Sequence, residues 1–349
     1  MNPASDRQPL GKAGVSVPNI IFGTSCLGNL YQALPHETKR RIVAEWFAHV
    51  EPPVALDSAG KYGAGLALEE LGRCLRELNI PGEKVILSNK LGWKRIPLST
   101  PEPTFEPGAW VGLEHDAEQH IGYDGILACH RQGLELLGPG YSVALASVHD
   151  PDEYLAAAEN PAERQRRFGD VLEAYRALAD LKRRGEVRGV GVGAKDWGVI
   201  RELAEHVDFD WVMFACSLTI YHHPPELPAF IAELHRRNVG IVNSAVFHSG
   251  FLLGGAYFDY GKPTRSDQPE LFQWREAFLR LCRQHDVSPA AACIQFGMSA
   301  PGVVATALNT SKPQRIKDNV AAFTQKIPRA FWAAMKDQGL MAKEFPYLP

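Results

Sequence analysis

Four residues of this chain could do chemistry together: Asp57, Tyr62, Lys90 and His149. A free tyrosine has a pKa of about 10 and is a poor acid or base at neutral pH. A nearby ammonium favours the phenolate and draws that value down toward the working range. On this reading Lys90 tunes Tyr62, and Asp57 holds Lys90 charged and oriented. His149 hydrogen-bonds a substrate oxygen and helps to place it. The set suits proton transfer coupled to hydride transfer. Each residue alone has a plainer reading, as a loop cap, a surface tyrosine, a solvated lysine or a structural histidine. Their joint position therefore has to carry the argument.

Position follows from the elements around them. Residues 54–65, VALDSAGKYGAG, begin as a short apolar run that ends on Asp57 and continue into a glycine-rich turn holding Tyr62. The run reads as a buried strand, and Gly60, Gly63 and Gly65 let the backbone bend sharply and approach another segment. A third strand, beginning with the VIL of 85–87, ends near Lys90, and a fourth, VALASV over 143–148, runs into His149. Further apolar runs stand at 19–22, 187–192, 211–215, 239–242 and 303–307, and helical periodicity fills most gaps, ending with a last helix over 312–323. Strands that alternate with amphipathic helices indicate a parallel sheet. Eight such pairs predict a closed (β/α)8 TIM barrel, a fold of about 250 residues plus insertions with its site at the carboxyl ends of the strands. Strands two, three and four are then neighbours, so the four side chains can converge.

The expected organisation is one barrel domain over 1–349, with an N-terminal extension over 1–18 and two long loops, 92–124 and 247–268. Loops of that length in a compact domain are usually functional. Both follow strands and are assigned to the candidate site, with Trp93 and Trp110 of the first as candidate substrate contacts.

Composition is ordinary: 349 residues, 45% hydrophobic, 22% charged, net charge −3. A charge this small does not point to nucleic acid or an anionic membrane as partner. No run of about 18 apolar residues is present, and Met1–Gly14 lacks an apolar core of the signal-peptide kind. Six scattered cysteines without a C-x-x-C pair read as reduced thiols. The expectation is a cytoplasmic monomer or homodimer acting on a small molecule, with no bound metal.

The Asp57-x4-Tyr62-Gly63 spacing, Lys90 in ILSNKLG and His149 in SVHDPD resemble the aldo-keto reductase superfamily from Gly23 to about Phe323. More narrowly, DSAGKYGAG, KLGWKR, PTFEPGAW, YDGI and VGVGAKDW are similar to the branch of D-threo-aldose (L-fucose, D-arabinose) 1-dehydrogenases, with pyridoxal 4-dehydrogenases as near relatives. The resemblance implies a nicotinamide cofactor bound without a Rossmann domain, and no G-x-G-x-x-G follows a strand here. It implies cofactor contacts at Gly23, Thr24 and Asp57, at Lys195 and Ser217 after strands five and six, at Asn243 where the nicotinamide ring is usually stacked, and at Ser249, Gly250 and Leu252 over the pyrophosphate. The family's Ser-Asn pair after strand five is replaced by Gly193-Ala194-Lys195-Asp196. Aligning Arg315 and Asn319 with the family's R-x3-N puts Asn309 where NADPH-preferring members carry a lysine, which favours NAD over NADP.

The reaction implied is oxidation of an aldose at C1 to the lactone, with Tyr62 as general base and, in reverse, as general acid. Lys61, beside Tyr62, suits a polyhydroxylated substrate. Pyridoxal oxidation or general aldehyde and ketone reduction are alternatives. A lyase using Lys90 as a Schiff-base nucleophile and a non-catalytic cofactor-sensing subunit also stay open.

Overall fold

The computed structural model describes residues 6–348. Eight strands close a barrel: β1 (Ile20–Gly23), β2 (Val54–Ala59), β3 (Val85–Leu91), β4 (Leu145–His149), β5 (Gly189–Ala194), β6 (Trp211–Ala215), β7 (Gly240–Ser244) and β8 (Val303–Leu308). Every neighbour in the barrel is parallel, and β8 pairs with β1 to complete the ring. Each strand is followed by at least one helix; β4 is followed by two, Pro151–Ala156 and Pro161–Arg183, as are β7, by Pro269–Gln284 and Pro289–Gly297, and β8, by Arg315–Ala322 and Arg329–Asp337. This is the (β/α)8 TIM barrel expected from the alternation.

Side chains alternate between two cores because successive strand residues point to opposite faces. Val54 and Leu56 of β2 pack outward against the helices. Ala55 packs inward with Ile21, Leu145, Trp211, Met213 and Val242. Gly191 makes room for this filling: a Cβ there would lie 2.5 Å from the Trp211 ring. The N-terminal extension is an antiparallel hairpin, Arg7–Pro9 with Ser16–Pro18. Its Leu10, Ala13, Val15 and Val17 join the inner core and close the barrel at the strand beginnings. Gly11 is held against β7, where any Cβ would meet Gly240 N at 2.1 Å. The opposite end, with the strand carboxyl termini, is left for the site.

Three features differ from the sequence reading. Strand β2 runs on to Ala59, so Asp57 lies within it. Residues 92–124 are built on a hairpin, Trp93–Pro97 paired with His115–Gln119, whose second strand HDAEQ lacks an apolar alternation to read. The last helix is Arg329–Asp337, held by buried Phe331, Trp332 and Met335, beyond the Arg315–Ala322 helix. Among the described residues no helix is long and apolar enough to cross a membrane.

Candidate active site

Register brings the expected residues together. Asp57 pairs with Ser88, Ala59 with Lys90, Lys90 with Ser147, and His149 with Gly193. Counting by twos from the inward Ala55, Ile86 and Leu145 puts Asp57, Lys90 and His149 on the inner face of three adjacent strands. Tyr62 stands on the turn after β2. That turn is clamped to the 3-10 turn Ser25–Gly28: Gly63 has φ +62°, and a Cβ there would lie 2.3 Å from Gly28 O. Gly193, opposite His149, leaves room for the Lys90 stem, whose Cδ is 3.0 Å from where a Cβ would be.

Lys90 forms a buried ion pair with Asp57, whose other oxygen accepts a hydrogen bond from Ser88 Oγ at 3.0 Å. The Lys90 ammonium lies 4.8 Å from the centre of the Tyr62 ring, and the His149 ring meets Tyr62 edge-on at 5.5 Å. Burial lowers the Lys90 pKa, but Asp57 and Tyr62 outweigh it and the net shift is upward, so the ammonium stays charged. Burial, followed by the Lys90 and Lys61 cations, pushes His149 well below the ordinary histidine range, so its imidazole is neutral. Its Nδ1 is buried without a partner, and its Nε2 is 3.5 Å from Asp150.

Tyr62 departs from expectation. Lys90 does draw its pKa down, but burial is the larger effect and the net shift is upward. Desolvation disfavours the phenolate more than one cation already shared with Asp57 favours it. In this structure Tyr62 is held as the phenol.

Lys61 also has a different setting. Its ammonium is buried between Glu106 (2.7 Å), Asp150 (3.1 Å) and Glu153 (2.7 Å) and lies 5.1 Å from the Trp93 ring centre. Three carboxylates take its three donors, so it ties the 92–124 segment to the rim of β4 and is not presented to a substrate. Glu153 also pairs with Lys195; burial raises Glu153, but these cations bring it net below the ordinary range. Glu106, inside PTFEPGAW, and Glu153, the residue directly after SVHDPD, were missed from the sequence. Trp110 donates to Glu106 at 2.7 Å and lies 5.9 Å from the Tyr62 ring; Trp93 stacks at a tilt on Phe105. The insertion therefore forms an aromatic wall directly over Tyr62. Beside it opens a cleft of about 280 Å³ lined by Glu106, Pro107, Ala109, Glu153, Lys195 and Tyr260. A larger cleft of about 420 Å³, between Tyr221 and Met341, includes none of the four residues.

The residues expected at a cofactor lie in an arc across the rim from β5 to β1, with exceptions. Thr24 is fully buried and donates to Asp57 O and Ser58 Oγ, leaving Gly23 and backbone as its contribution. Ser217 Oγ is spent on the carbonyls of Lys195 and Ala215. Asn243 faces outward: its amide donates to Leu218 O at 2.7 Å and Gly297 O at 3.2 Å, against the Pro289–Gly297 helix. It cannot stack on a ring inside the barrel, because the side chain one step from inward-facing Val242 must point away. Leu252 is fully buried in the outer core. Ser249 donates to Asp259 O at 2.6 Å and meets Tyr31 OH at 3.1 Å, which fastens this loop across to the β1 side. Gly250 has φ +86° with open space around it, a turn that an anion can approach closely. Asn309 donates to Ser25 Oγ at 2.8 Å. Exposed Arg315 opens the Arg315–Ala322 helix, which also carries Asn319, and has no ion pair among the described residues. An unpaired cation and an open glycine turn on one rim fit the phosphate end of a dinucleotide. The side chains expected at the nicotinamide end fit less well, so backbone groups would have to serve there.

Known proteins agree with this architecture. A glycerol dehydrogenase from Gluconobacter oxydans superposes with a TM-score of 0.71 at 17% identity, covering 98% of this chain and 97% of that one. The holo form of an aldo-keto reductase from Bacillus halodurans gives 0.67 at 18% identity, covering 96% of each; both likenesses concern the fold. In sequence, the pyridoxal 4-dehydrogenase of Microbacterium luteolum is 27% identical over 97% of this chain and 99% of its own length. The D-threo-aldose 1-dehydrogenase of a Pseudomonas species is 27% identical over 94% and 96%. The model of the aldo/keto reductase family matches residues 19–338. With nearly its whole length so matched, around a barrel whose rim joins the Asp57–Lys90 pair to Tyr62 and His149, the chain belongs to the aldo/keto reductase family.

Proposed function

We propose that this oxidoreductase oxidises the anomeric carbon of an aldose, such as L-fucose or D-arabinose, to the lactone with a nicotinamide dinucleotide, NAD in preference to NADP. Members of its family use such cofactors. The observation that carries the reading is the placing of Tyr62 between the charged Lys90–Asp57 pair and the neutral His149, beneath the Trp110 wall. A cleft with Glu106, Glu153 and Lys195 on its rim and aromatic faces beside it suits a ring that has hydroxyls at its edge and C–H groups on its faces.

Tyr62 takes the proton of the anomeric hydroxyl in oxidation and returns it in reduction. Lys90 lowers the cost of the phenolate at that moment, and Asp57 keeps Lys90 in reach. His149, being neutral, can offer an N–H to the substrate oxygen without adding a competing charge. The bound nicotinamide would accept the C1 hydrogen with its electron pair, leaving C1–O as the lactone carbonyl. Of the residues proposed for the cofactor, Gly23, Thr24, Lys195 and Ser217 would serve mainly through backbone, Ser249 and Gly250 would face the pyrophosphate, and Asn309 and Arg315 would face the adenosine ribose.

Pyridoxal is the second reading, favoured by the relative that matches 97% of this chain. Its aldehyde closes on the neighbouring hydroxymethyl group to a cyclic hemiacetal, so the same removal of a proton and a hydride also gives a lactone. The test is absorbance in the reduced-nicotinamide band over a panel of aldoses, pyridoxal and simple aldehydes, with NAD and NADP in parallel. Turnover of an aldose with lactone release is expected. Reduction of simple aldehydes with no oxidation of any hemiacetal would overturn the reading.

A further inference from the structure

Cys216, His248 and Asp259 converge on the far side of the rim from Asp57. Cys216 follows β6; His248 stands near the start of the strap that follows β7, and Asp259 near its middle. Cys216 Sγ lies 3.2 Å from Asp259 Oδ1, and His248 Nδ1 lies 3.0 and 3.3 Å from the two Asp259 oxygens. One ligand atom from each residue falls within 4.8 Å of the other two. We propose that these three side chains form a transition-metal site of the zinc type, one that ties the β7 strap to the end of β6.

The donor set selects the metal. Thiolate, imidazole and carboxylate together suit Zn²⁺ and its neighbours, whereas Mg²⁺ and Ca²⁺ take oxygen ligands. Zinc bonds of roughly 2.0–2.3 Å at tetrahedral angles separate donor atoms by about 3.3–3.6 Å, so the two sides of the triangle that meet at Asp259, 3.2 and 3.0 Å long, need to open by only a few tenths of an ångström, and the third side is within 4.8 Å. Thr219 prepares the histidine. Its Oγ1 accepts the His222 N–H at 2.9 Å, its own hydrogen is aimed at His222 O at 3.3 Å, and its remaining lone pair faces His248 Nε2 at 2.8 Å. When Nε2 carries the hydrogen, Thr219 is placed to accept it, and Nδ1, the nitrogen inside the cluster, is then the ligand; a hydrogen-bonded second nitrogen is the usual support of a metal-binding histidine. Phe258 stacks on the same ring at 4.6 Å and 3°, fixing its plane. All three residues have left-handed backbone, with φ of +62°, +45° and +48°, a strain that clusters where geometry serves a function. His248 is buried, while Cys216 is half-buried and the Asp259 side chain is 33% exposed, so one side remains open for entry and for a water as fourth ligand. The other trio of this kind among the described residues, His36, Glu70 and Cys74, is poorer, because both His36 nitrogens are taken by Glu70 and Glu77.

Full-length protein stripped with a chelator and titrated with Co²⁺ tests this directly. The expected result is one equivalent per chain, with a thiolate-to-cobalt charge-transfer band that Zn²⁺ displaces. Cys216→Ser should abolish the band, and Asp259→Asn should weaken binding at least tenfold, while Cys74→Ser leaves both unchanged. Zn²⁺ should also slow hydrogen exchange across residues 248–259 in the wild type and not in Cys216→Ser. Asp259→Asn, at a partly exposed position, decides the matter if Cys216→Ser does not fold. No band at stoichiometric Co²⁺, a band that survives Cys216→Ser, or one lost in Cys74→Ser would show that the three groups only hydrogen-bond to one another.

Discussion

The Asp57–Lys90 pair can be tested for two roles at once, because its structural and chemical contributions separate in a double-mutant cycle. Both side chains are 4% exposed. Lys90→Met keeps the length of the stem and removes the charge, leaving the Asp57 carboxylate with the Ser88 hydroxyl as its remaining side-chain partner. Breaking a buried pair from one side costs about 3–5 kcal/mol, a large share of a total stability of about 5–15 kcal/mol. Asp57→Asn strands the ammonium and should cost a similar amount. The double variant buries no unpaired charge, and replacing a whole buried pair is often close to neutral, so its stability should exceed that of either single variant. Turnover should behave differently. Lys90 is the nearest cation opposing the burial that raises Tyr62, so Lys90→Met and the double variant should both stay slow. Urea unfolding followed by circular dichroism gives the stabilities, and sugar oxidation gives the rates. If the double variant is no more stable than the singles, the pair is not what the two residues contribute to folding. If activity returns together with stability, the Lys90 charge is not what Tyr62 needs.

Three further outcomes are expected. Because burial raises Tyr62, oxidation, which needs the phenolate, should quicken with rising pH without levelling off before the ordinary tyrosine range near pH 10, while reduction, which needs the phenol, should be flat over the same interval; Tyr62→Phe should remove this dependence and about 10²–10⁴-fold of the rate, and an unchanged profile in that variant would reject Tyr62 as the proton carrier. Trp110→Ala, which strips the wall over Tyr62 and the partner of Glu106, should raise KM for sugars more than it lowers kcat; identical constants for every sugar would make the segment scaffolding. Asn309→Lys, placing an ammonium near Arg315 on the rim, should move the ratio of kcat/KM for the two cofactors toward NADP by about tenfold, equivalent to about 1.4 kcal/mol; a wild type already selective for NADP, or a variant with the same ratio, would mean that this residue does not face the ribose.

What was legible in the chain is what short stretches encode. Apolar runs alternating with helical periodicity specify a parallel barrel, because each element must bury its own face. Strand-end positions then place Asp57, Tyr62, Lys90 and His149 at one rim, and the Asp57-x4-Tyr62-Gly63 spacing carries the family resemblance. What tertiary structure decided involves pairings across long separations and the parity of strands. Lys61 stands beside Tyr62 in sequence, yet its partners are Glu106, Asp150 and Glu153, up to 92 positions away. Asn243 sits at a strand end as expected, but one step of the two-residue period turns it to the helices, and that parity follows from which neighbour, Val242, fills the barrel. The hairpins at 7–18 and within 92–124 are too short and polar to announce themselves, and packing against the inner core and against Tyr62 makes them structure. The direction of the Tyr62 shift was also a tertiary result. A nearby lysine can be inferred from order along the chain, but desolvation sums over everything packed around the ring, and here that sum is the larger effect.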